Sequence, residues 1–597
     1  MITEKDAIVV ELSKLTPARV REASVAELTD LAAKIRRFLI ESNAATGGHI
    51  GANLGTIELS LALHKVFESP DDKIIWDTGH QGYTHKIITG RADRFRTLNT
   101  FGGMSRFVTK TESEHDIIEA SHGGTSISVG LGIALAKALK GDTRSVVAVI
   151  GDGSLAEGLA FEGLNHAAVA AHTNLVIVLN DNGYAISPGF GALHNYLQTL
   201  QPGQRAPEQL FTALGFDYIG PVDGHDIEAT AAALERAKGS TQIPFVHVKT
   251  EKGHGWKAAD GHPYRMHFSF PFDPDSGKGR DGFAYTGYQD VAAAVIGDEM
   301  ERDERIVAIT PSTLYASGLQ PVFKRFPDRC FDPGMEEQHA MTMTVGFAIE
   351  GFKPVIVYQS TFMQRAFDQL VHDVCFASLP TLILCVRSGF AGYDNPTHHG
   401  IYDFAYWRGL PNLRVLYPKD RYELERMVRD ELEGLVRPTI IAMPYGPVDE
   451  IDAKVLDETR GAFRRPEVVR EGKDLTVIAV GHKFKVARDA AERMRSKGVD
   501  CGLVNLRYLK PLPEEALAEI LQRALRVVTI EEGVLDGGVG SAIAAFAADR
   551  RIKCEVLRLG VECAFIAPGS QDELCRLQDL DVDGVLRRIR QFWKLDV

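Results

Sequence analysis

Cysteine is scarce in this 597-residue chain: there are seven, at positions 330, 375, 385, 501, 554, 563 and 575. An odd number with no C-x-x-C pair supports neither a disulfide framework nor a zinc site, and suits a reducing compartment. The chain also lacks any apolar run of about 18 residues that would span a bilayer. Its start, Met1-Ile2-Thr3-Glu4-Lys5-Asp6, has neither the basic-then-apolar pattern of a secretory leader nor an Arg/Ser-rich transit pattern, so a cytoplasmic protein off the membrane is expected. No long basic block is present and the formal net charge is −13, which gives no footprint for nucleic acid.

What is present is ordinary for a folded chain: 45% hydrophobic and 25% charged residues, at a length that calls for several cores. Alternating strand-like runs and amphipathic stretches extend from about residue 20 to 250 and predict a first doubly wound α/β domain, 1–275. A Pro/Gly/Asp-rich stretch, Pro271–Asp281, reads as a linker. A second domain, 283–450, has strands expected at Ile306–Thr310, Pro354–Tyr358, Thr381–Val386 and Thr439–Met443, and ends at Pro444-Tyr445-Gly446-Pro447. The third, 460–597, carries apolar runs at Leu475–Val480, Val499–Asn505, Arg526–Glu531 and Lys553–Leu559. No tandem repeat is visible.

Two patches carry the chemistry. Ser145–Ile150 is a β-branched run that ends in Gly151-Asp152-Gly153 and opens an Ala-rich stretch, Leu155–Ala171, expected to be one helix. Such a helix start offers unpaired backbone N–H groups to a phosphate, and the glycines allow close approach. A second run, Leu175–Leu179, brings Asn180-Asp181-Asn182 to the same carboxyl edge of a parallel sheet, where ligands of these folds collect. Mg²⁺ takes hard oxygen ligands at about 2.0–2.1 Å and commonly shares them with phosphates. Asp152, Asn182 and the backbone carbonyl of Tyr184 make such a set. Alone, Gly-Asp-Gly is a turn and Asn-Asp-Asn a polar loop; both following strands, they predict a site for a divalent ion carrying a diphosphate.

With these residues in hand the chain resembles the 1-deoxy-D-xylulose-5-phosphate synthases of the transketolase superfamily. The likeness spans nearly the whole length and rests on Thr46-Gly-Gly-His49-Ile-Gly, Trp76-Asp-Thr-Gly-His80-Gln, Tyr218-Ile-Gly-Pro-Val-Asp-Gly-His225-Asp, Glu337-Gln-His-Ala, Ser360-Thr-Phe362-Met-Gln-Arg365-Ala-Phe-Asp-Gln and Lys510-Pro-Leu-Pro. The resemblance implies three doubly wound α/β domains of transketolase type, two of them thiamine-diphosphate-binding folds and the third a C-terminal transketolase domain. It also implies a homodimer, thiamine diphosphate with Mg²⁺ held between the first and second domains, and a step of isoprenoid biosynthesis. The small-molecule partners would be a 2-oxo-acid donor, pyruvate, and an aldehyde acceptor, glyceraldehyde 3-phosphate.

Residue by residue, the resemblance places His80, Ser121, His122, Gly123, Gly151, Gly153 and Ser154 around the cofactor. Lys252 would neutralise a phosphate, Trp256 would supply an aromatic, Ile186 would prop the cofactor into its bent shape, and Phe362 would stack on the pyrimidine. Glu337 would hydrogen-bond the pyrimidine ring nitrogen, a role for a partly buried acid with a raised pKa. The plainer role of Glu336 and Glu337 is to favour the dipole of the helix that follows. His49, His267 and His398 would face the reacting atoms. Asp394, Tyr358, Arg365 and Arg387 fall on the acceptor side, Arg387 as a phosphate-binding guanidinium.

Three departures bear on the substrates. Tyr445 stands where the family has a phosphate-binding arginine, which leaves room for a divergent enzyme with a non-phosphorylated acceptor. Asn99 stands where an arginine handles the donor carboxylate, with Arg106 close enough in sequence to substitute, and a different donor is the corresponding alternative. The segment Leu197–Leu210 is some forty residues shorter than in the family. Readings of another class are a 2-oxo-acid dehydrogenase component that serves a lipoyl domain, and a non-catalytic scaffold, against which the retained Asp152, Asn182, Glu337 and His49 argue. The glycine cluster Gly537-Gly538-Val539-Gly540 lacks a full nucleotide fingerprint and is assigned no chemistry.

Overall fold

The structure is a computed structural model and describes residues 4–170, 173–203, 210–282, 285–457 and 461–595. The chain divides into two units, Met1–Ala284 with Pro333–Glu336, and Tyr285–Asp332 with Glu337–Val597.

The first unit is built on five parallel strands, β1 (Lys73–Trp76), β2 (Val146–Gly151), β3 (Leu175–Asp181), β4 (Asp217–Asp223) and β5 (Pro244–Lys249), in the order β1-β2-β3-β5-β4. The β2 and β3 runs are apolar throughout because both faces are covered. Val147, Val149, Val176 and Val178 pack in one core with residues of the helices Val25–Thr46 and Ile57–Val66. The alternate residues Val146, Ala148, Ile150, Leu175, Ile177 and Leu179 join a second core with the helices Ser126–Leu139 and Gly158–Ala167. A strand buried on both faces reads as a continuous hydrophobic run, as a parallel sheet requires.

The expected helix Leu155–Ala171 is broken. A single turn, Asp152–Leu155, is followed by a bend at Ala156 and Glu157, then by the helix Gly158–Ala167; Ala171 lies outside the described residues. Glu157 adopts an extended conformation and is buried, 1% exposed, where it meets Gly123 and Gly124. Burial of that carboxylate against the glycines overrides the helical periodicity of the alanines. The dipole of a long helix is therefore not aimed from Asp152, and one turn supplies little of it.

The second unit holds two sheets. Seven strands, β6 (Ile306–Ile309), β7 (Cys330–Phe331), β8 (Lys353–Gln359), β9 (Leu382–Val386), β10 (Arg414–Leu416), β11 (Thr439–Met443) and β15 (Tyr508–Lys510), lie in the order β15-β10-β11-β9-β8-β6-β7. All pairs are parallel except β10 with β15, an edge strand that arrives antiparallel from the last third of the chain. The other sheet contains β12 (Glu467–Arg470), β13 (Leu475–Ala479), β14 (Cys501–Asn505), β16 (Arg526–Val534) and β17 (Glu555–Val561), in the order β12-β14-β13-β16-β17, with β12 antiparallel to β14. A single apolar core runs from Ile356, Ile383 and Ile440 of the seven-stranded sheet to Ile478, Val504 and Val527 of the five-stranded one, which makes the two sheets one unit.

Candidate active site

In the first unit the site forms at the carboxyl ends of β2 and β3. Of Asn180-Asp181-Asn182, the first two residues serve the sheet itself. Asn180 donates to Gln81 Oε1 at 2.9 Å and accepts from Thr250 Oγ1 at 2.5 Å, while Asp181 is bound by His247 Nε2 at 2.8 Å and Lys249 Nζ at 2.9 Å. The strand is thereby pinned, and Asn182 is free to lead the loop. Its backbone N–H points to Asp152 Oδ1 at 3.4 Å, and its side-chain oxygen accepts the Tyr184 N–H at 3.0 Å, a turn that sets the direction of the Tyr184 backbone. A Cβ on Gly153 would come within 2.7 Å of Ala185 Cβ, so only glycine lets the two loops touch.

Burial shifts the charges here. Asp152 is 7% exposed, and desolvation, with the Asp181 charge adding, pushes its carboxyl up to about 7. Lys252, 2% exposed, is driven the other way by desolvation, to about 7, with Asp152 pulling it back. Its ammonium donates to Ala185 O at 2.7 Å and to His267 Nδ1 at 3.1 Å, and lies 5.3 Å from the Tyr184 ring. A buried acid among hard oxygen donors and a buried ammonium beside the same loop suit a cation and an anion respectively, so the residues fit an ion carrying a diphosphate.

His49, His80 and His267 gather, with ring centroids 5.2 to 5.5 Å apart, and Phe107 and Phe268 pack against His49. Burial lowers His80 to about 4 and, with Lys252, His80 and His49 adding, holds His267 well below its ordinary value. The last two rings are therefore neutral and can donate and accept. Asn53, which the motifs did not single out, donates to the backbone carbonyls of both His49 (2.7 Å) and His80 (2.6 Å) and fixes their spacing. Ser154 Oγ lies 3.2 Å from Thr78 Oγ1, and Glu157 approaches the backbone at Gly123. Ser121 and Gly123 are buried, His122 is exposed, and Ile186 is half-buried beyond Ala185. Trp256 is committed to packing: its indole N–H donates to Pro274 O at 3.0 Å and its ring lies 5.2 Å from Phe272. Arg106 does reach Asn99, donating to its side-chain oxygen while the guanidinium lies over Phe268 at 4.7 Å. Part of the shortened stretch Leu197–Leu210, residues 204–209, lies outside the described residues.

One more group collects ligand-type side chains among the described residues. Glu58, His225 and His254 bring ligand atoms within 4.8 Å of one another. They are tied to the protein: Glu58 is held by Arg36 at 2.5 Å and His225 Nδ1 at 3.2 Å, His225 Nε2 accepts the Glu251 N–H at 2.9 Å, and His254 Nδ1 lies 3.3 Å from Glu251 Oε2. This is a hydrogen-bonded strut.

In the second unit Glu337 comes after β7, Phe362 and Arg365 follow β8, Arg387, Asp394 and His398 follow β9, and Tyr445 follows β11. Glu337, 7% exposed, opens the helix Glu337–Ile349. Tyr358, expected on the acceptor side, is instead 1% exposed within the core. Its hydroxyl donates to Glu337 O at 2.8 Å, so it holds the first turn of that helix. Phe362, in the turn Ser360–Met363, meets His398 edge-on at 5.7 Å; Arg365 lies in the following turn Gln364–Ala366. Arg387, at φ +64°, sends Nη1 to Asp394 Oδ2 at 2.6 Å and lies 4.9 Å over the Tyr445 ring. Burial works against its charge, but Asp394 with Tyr445 and Tyr285 raises its pKa. The guanidinium expected to await a phosphate already has an anionic partner.

The sequence was compared with known proteins. The family model described as 1-deoxy-D-xylulose-5-phosphate synthase matches residues 12–208 and 203–250, the transketolase pyrimidine-binding domain matches 286–448, and the transketolase C-terminal domain matches 465–585. 1-Deoxy-D-xylulose-5-phosphate synthase 2 of Geobacter sulfurreducens is 41% identical, over 96% of this chain and 98% of its own. The synthase of Caldanaerobacter subterraneus is 38% identical over 97% and 98%, and that of Acidovorax ebreus 40% over 96% of each. With its three α/β regions matched in order and nearly its full length aligned, the chain belongs to the 1-deoxy-D-xylulose-5-phosphate synthase family of the transketolase superfamily.

Proposed function

We propose that this protein joins pyruvate to glyceraldehyde 3-phosphate, releasing carbon dioxide and forming 1-deoxy-D-xylulose 5-phosphate. Members of the family are transferases that use thiamine diphosphate and a divalent ion, Mg²⁺. The bound cofactor supplies the electron sink for the two-carbon unit left by decarboxylation. Asp152, Asn182 and the Tyr184 carbonyl hold the metal. Lys252 balances the diphosphate, around which His80, Ser121, His122, Gly123, Gly151, Gly153 and Ser154 close, while Ile186 supplies an apolar contact and Trp256 braces the segment after Lys252. Glu337 hydrogen-bonds the pyrimidine, Phe362 stacks on it, and Tyr358 steadies Glu337. His49, His267 and His398 hold and move protons at the developing hydroxyl, and Asp394, Arg365 and Arg387 receive the acceptor. The protein acts as a homodimer in the cytoplasm; among the described residues no helix is long and apolar enough to cross a membrane.

The observation that carries this reading is the pair of opposite charges, Asp152 and Lys252, both buried beside the loop that follows β3, where Asp152 meets the Asn182 N–H and Lys252 the Ala185 carbonyl. The test is product formation from pyruvate and glyceraldehyde 3-phosphate with thiamine diphosphate and Mg²⁺. Glu337→Gln is expected to lower turnover by about 10²–10⁴-fold, the range for a group acting on a proton transfer, while calorimetry still records cofactor binding. Turnover untouched by that substitution would refute the assignment. A second reading, an acceptor without phosphate, is favoured by the Arg387–Asp394 pair and by Tyr445; equal rates with glyceraldehyde and its 3-phosphate would establish it.

A further inference from the structure

Arg387 and Asp394 sit on the loop following β9 and Tyr445 on the loop following β11, and both loops are fastened by one side chain of the last domain, 181 and 126 residues away. Gln571, first residue of the helix Gln571–Leu577, donates from Nε2 to Phe390 O at 2.8 Å and to Tyr445 O at 3.2 Å. Its Oε1 is buried without a hydrogen-bond partner among the described residues. The amide cannot be turned over, because the oxygen would then face two carbonyls. An orphaned buried acceptor costs about 1–3 kcal/mol, so this side chain holds the two loops at the expense of its own oxygen.

Other contacts cooperate. Tyr393 donates to Glu573 Oε2 at 2.7 Å, and that carboxylate also closes the capping box with Ser570. Gly569 N–H donates to Gly392 O at 3.2 Å. Glu532, whose charge is fixed by Lys483 at 2.6 Å and His482 at 3.2 Å, accepts the Phe390 N–H at 3.0 Å. Glycines fit the loop against its neighbours: a Cβ on Gly389 (φ +90°) would stand 2.3 Å from Glu532 Oε2, and one on Gly392 (φ +78°) 2.9 Å from the Tyr445 ring. Between Gly389 and Gly392, then, the loop is fixed on one side by the last domain and on the other by Tyr445.

We propose that Gln571 is a positioning residue for the acceptor: by bridging Phe390 and Tyr445 it sets the spacing of the Arg387–Asp394 loop from the Tyr445 loop, and hence the KM for the aldehyde, without touching substrate or cofactor. This rests on the reading that Arg387 and its neighbours receive the acceptor. The test is steady-state kinetics of the cofactor-loaded enzyme with pyruvate and glyceraldehyde 3-phosphate varied separately. Gln571→Glu keeps the shape but turns an oxygen on the two carbonyls; losing two hydrogen bonds of about 0.5–1.5 kcal/mol each is expected to raise acceptor KM about tenfold. Tyr393→Phe, which removes one bond at the loop's other anchor, is expected to raise it about threefold. The KM for pyruvate and the Kd for thiamine diphosphate should stay within about twofold of wild type, an allowance below the energy of one such bond.

An unchanged acceptor KM in soluble Gln571→Glu, or parallel changes in both KM values and cofactor affinity, overturns the proposal. Should that variant fail to fold, Tyr393→Phe decides on the same criteria. Arg387→Ala separates the two layers: if it leaves acceptor KM unchanged, the acceptor assignment itself is wrong. If it raises acceptor KM while the Gln571 and Tyr393 variants do not, the assignment stands and the positioning role falls.

Discussion

The ionisable groups at the sheet edge of the first unit and those in and against the loop after β9 in the second, Arg387 on the loop and Glu532 on β16 beside it, are balanced differently. Asp152 and Lys252 are each pushed towards neutrality by burial and each is partly held charged by the other; on the proposed reading an ion and a diphosphate complete the balance. Arg387 and Glu532 carry their partners with them, Asp394 for the one and Lys483 and His482 for the other. The first arrangement makes the folded protein a poor host for its own charges until an ion and a diphosphate arrive. The second is paired within the protein.

The contrast is broken most directly at Asp152. On the proposed reading Asp152→Ala removes a metal ligand and is expected to weaken binding of thiamine diphosphate with Mg²⁺ by more than about 100-fold, since even outer-shell partners of a metal cost about 10–100-fold. Because the carboxyl is desolvated, the ligand-free variant should melt at or above wild type near pH 7, and should lose the rise in melting temperature that cofactor and metal give wild type. Calorimetry and thermal melts check both halves; a destabilised ligand-free variant would show that Asp152 is a structural acid.

On the other side, Tyr445→Arg supplies a second cation beside Arg387. A charge-assisted contact of about 1.5–3 kcal/mol should lower KM for glyceraldehyde 3-phosphate by about ten- to a hundredfold relative to glyceraldehyde. No change in that ratio would mean that the phosphate, if bound, lies away from Tyr445.

The smallest effect concerns an exception in the second unit. Asp403 is fully buried and accepts from Ser360 Oγ at 2.6 Å, Ser388 Oγ at 2.5 Å and Tyr406 at 3.3 Å, with no cation beside it; burial pushes it up to about 7. A carboxyl raised on folding keeps its proton while the unfolded chain releases it, so its contribution is full below the ordinary carboxylate range and is lost as pH rises through about 7. Asp403→Asn should therefore gain stability relative to wild type as pH is raised from about 4 to about 7. Denaturant unfolding at several pH values measures the gap, and a gap independent of pH would remove the acid from the account.

What was legible in the sequence was local. Gly151-Asp152-Gly153 and Asn180-Asp181-Asn182 announce themselves because each follows a continuous apolar strand, and the strands lie at those places, shifted at their ends by a residue or two. What escaped was set by distance along the chain. The bend at Glu157 is invisible in an alanine-rich stretch until Gly123 and Gly124 are known to face it. Tyr358 is expected on the acceptor side, and the sequence gives no sign that its hydroxyl donates to a carbonyl 21 residues earlier. Asn53 and Gln571 belong to no motif and act only through backbone groups that folding brings to them.

The strand Tyr508–Lys510 has one further consequence. It runs antiparallel to Arg414–Leu416, with Lys510 opposite Val415 and Tyr508 opposite Leu416, and so shields the rim of a sheet to which most of its own domain does not belong. Dividing the chain between the regions matched as pyrimidine-binding and C-terminal would bare that rim and offer it to other molecules for pairing. The boundary drawn by homology is thus a poor place for scissors, whether in building fragments or in grafting one enzyme's last third onto another.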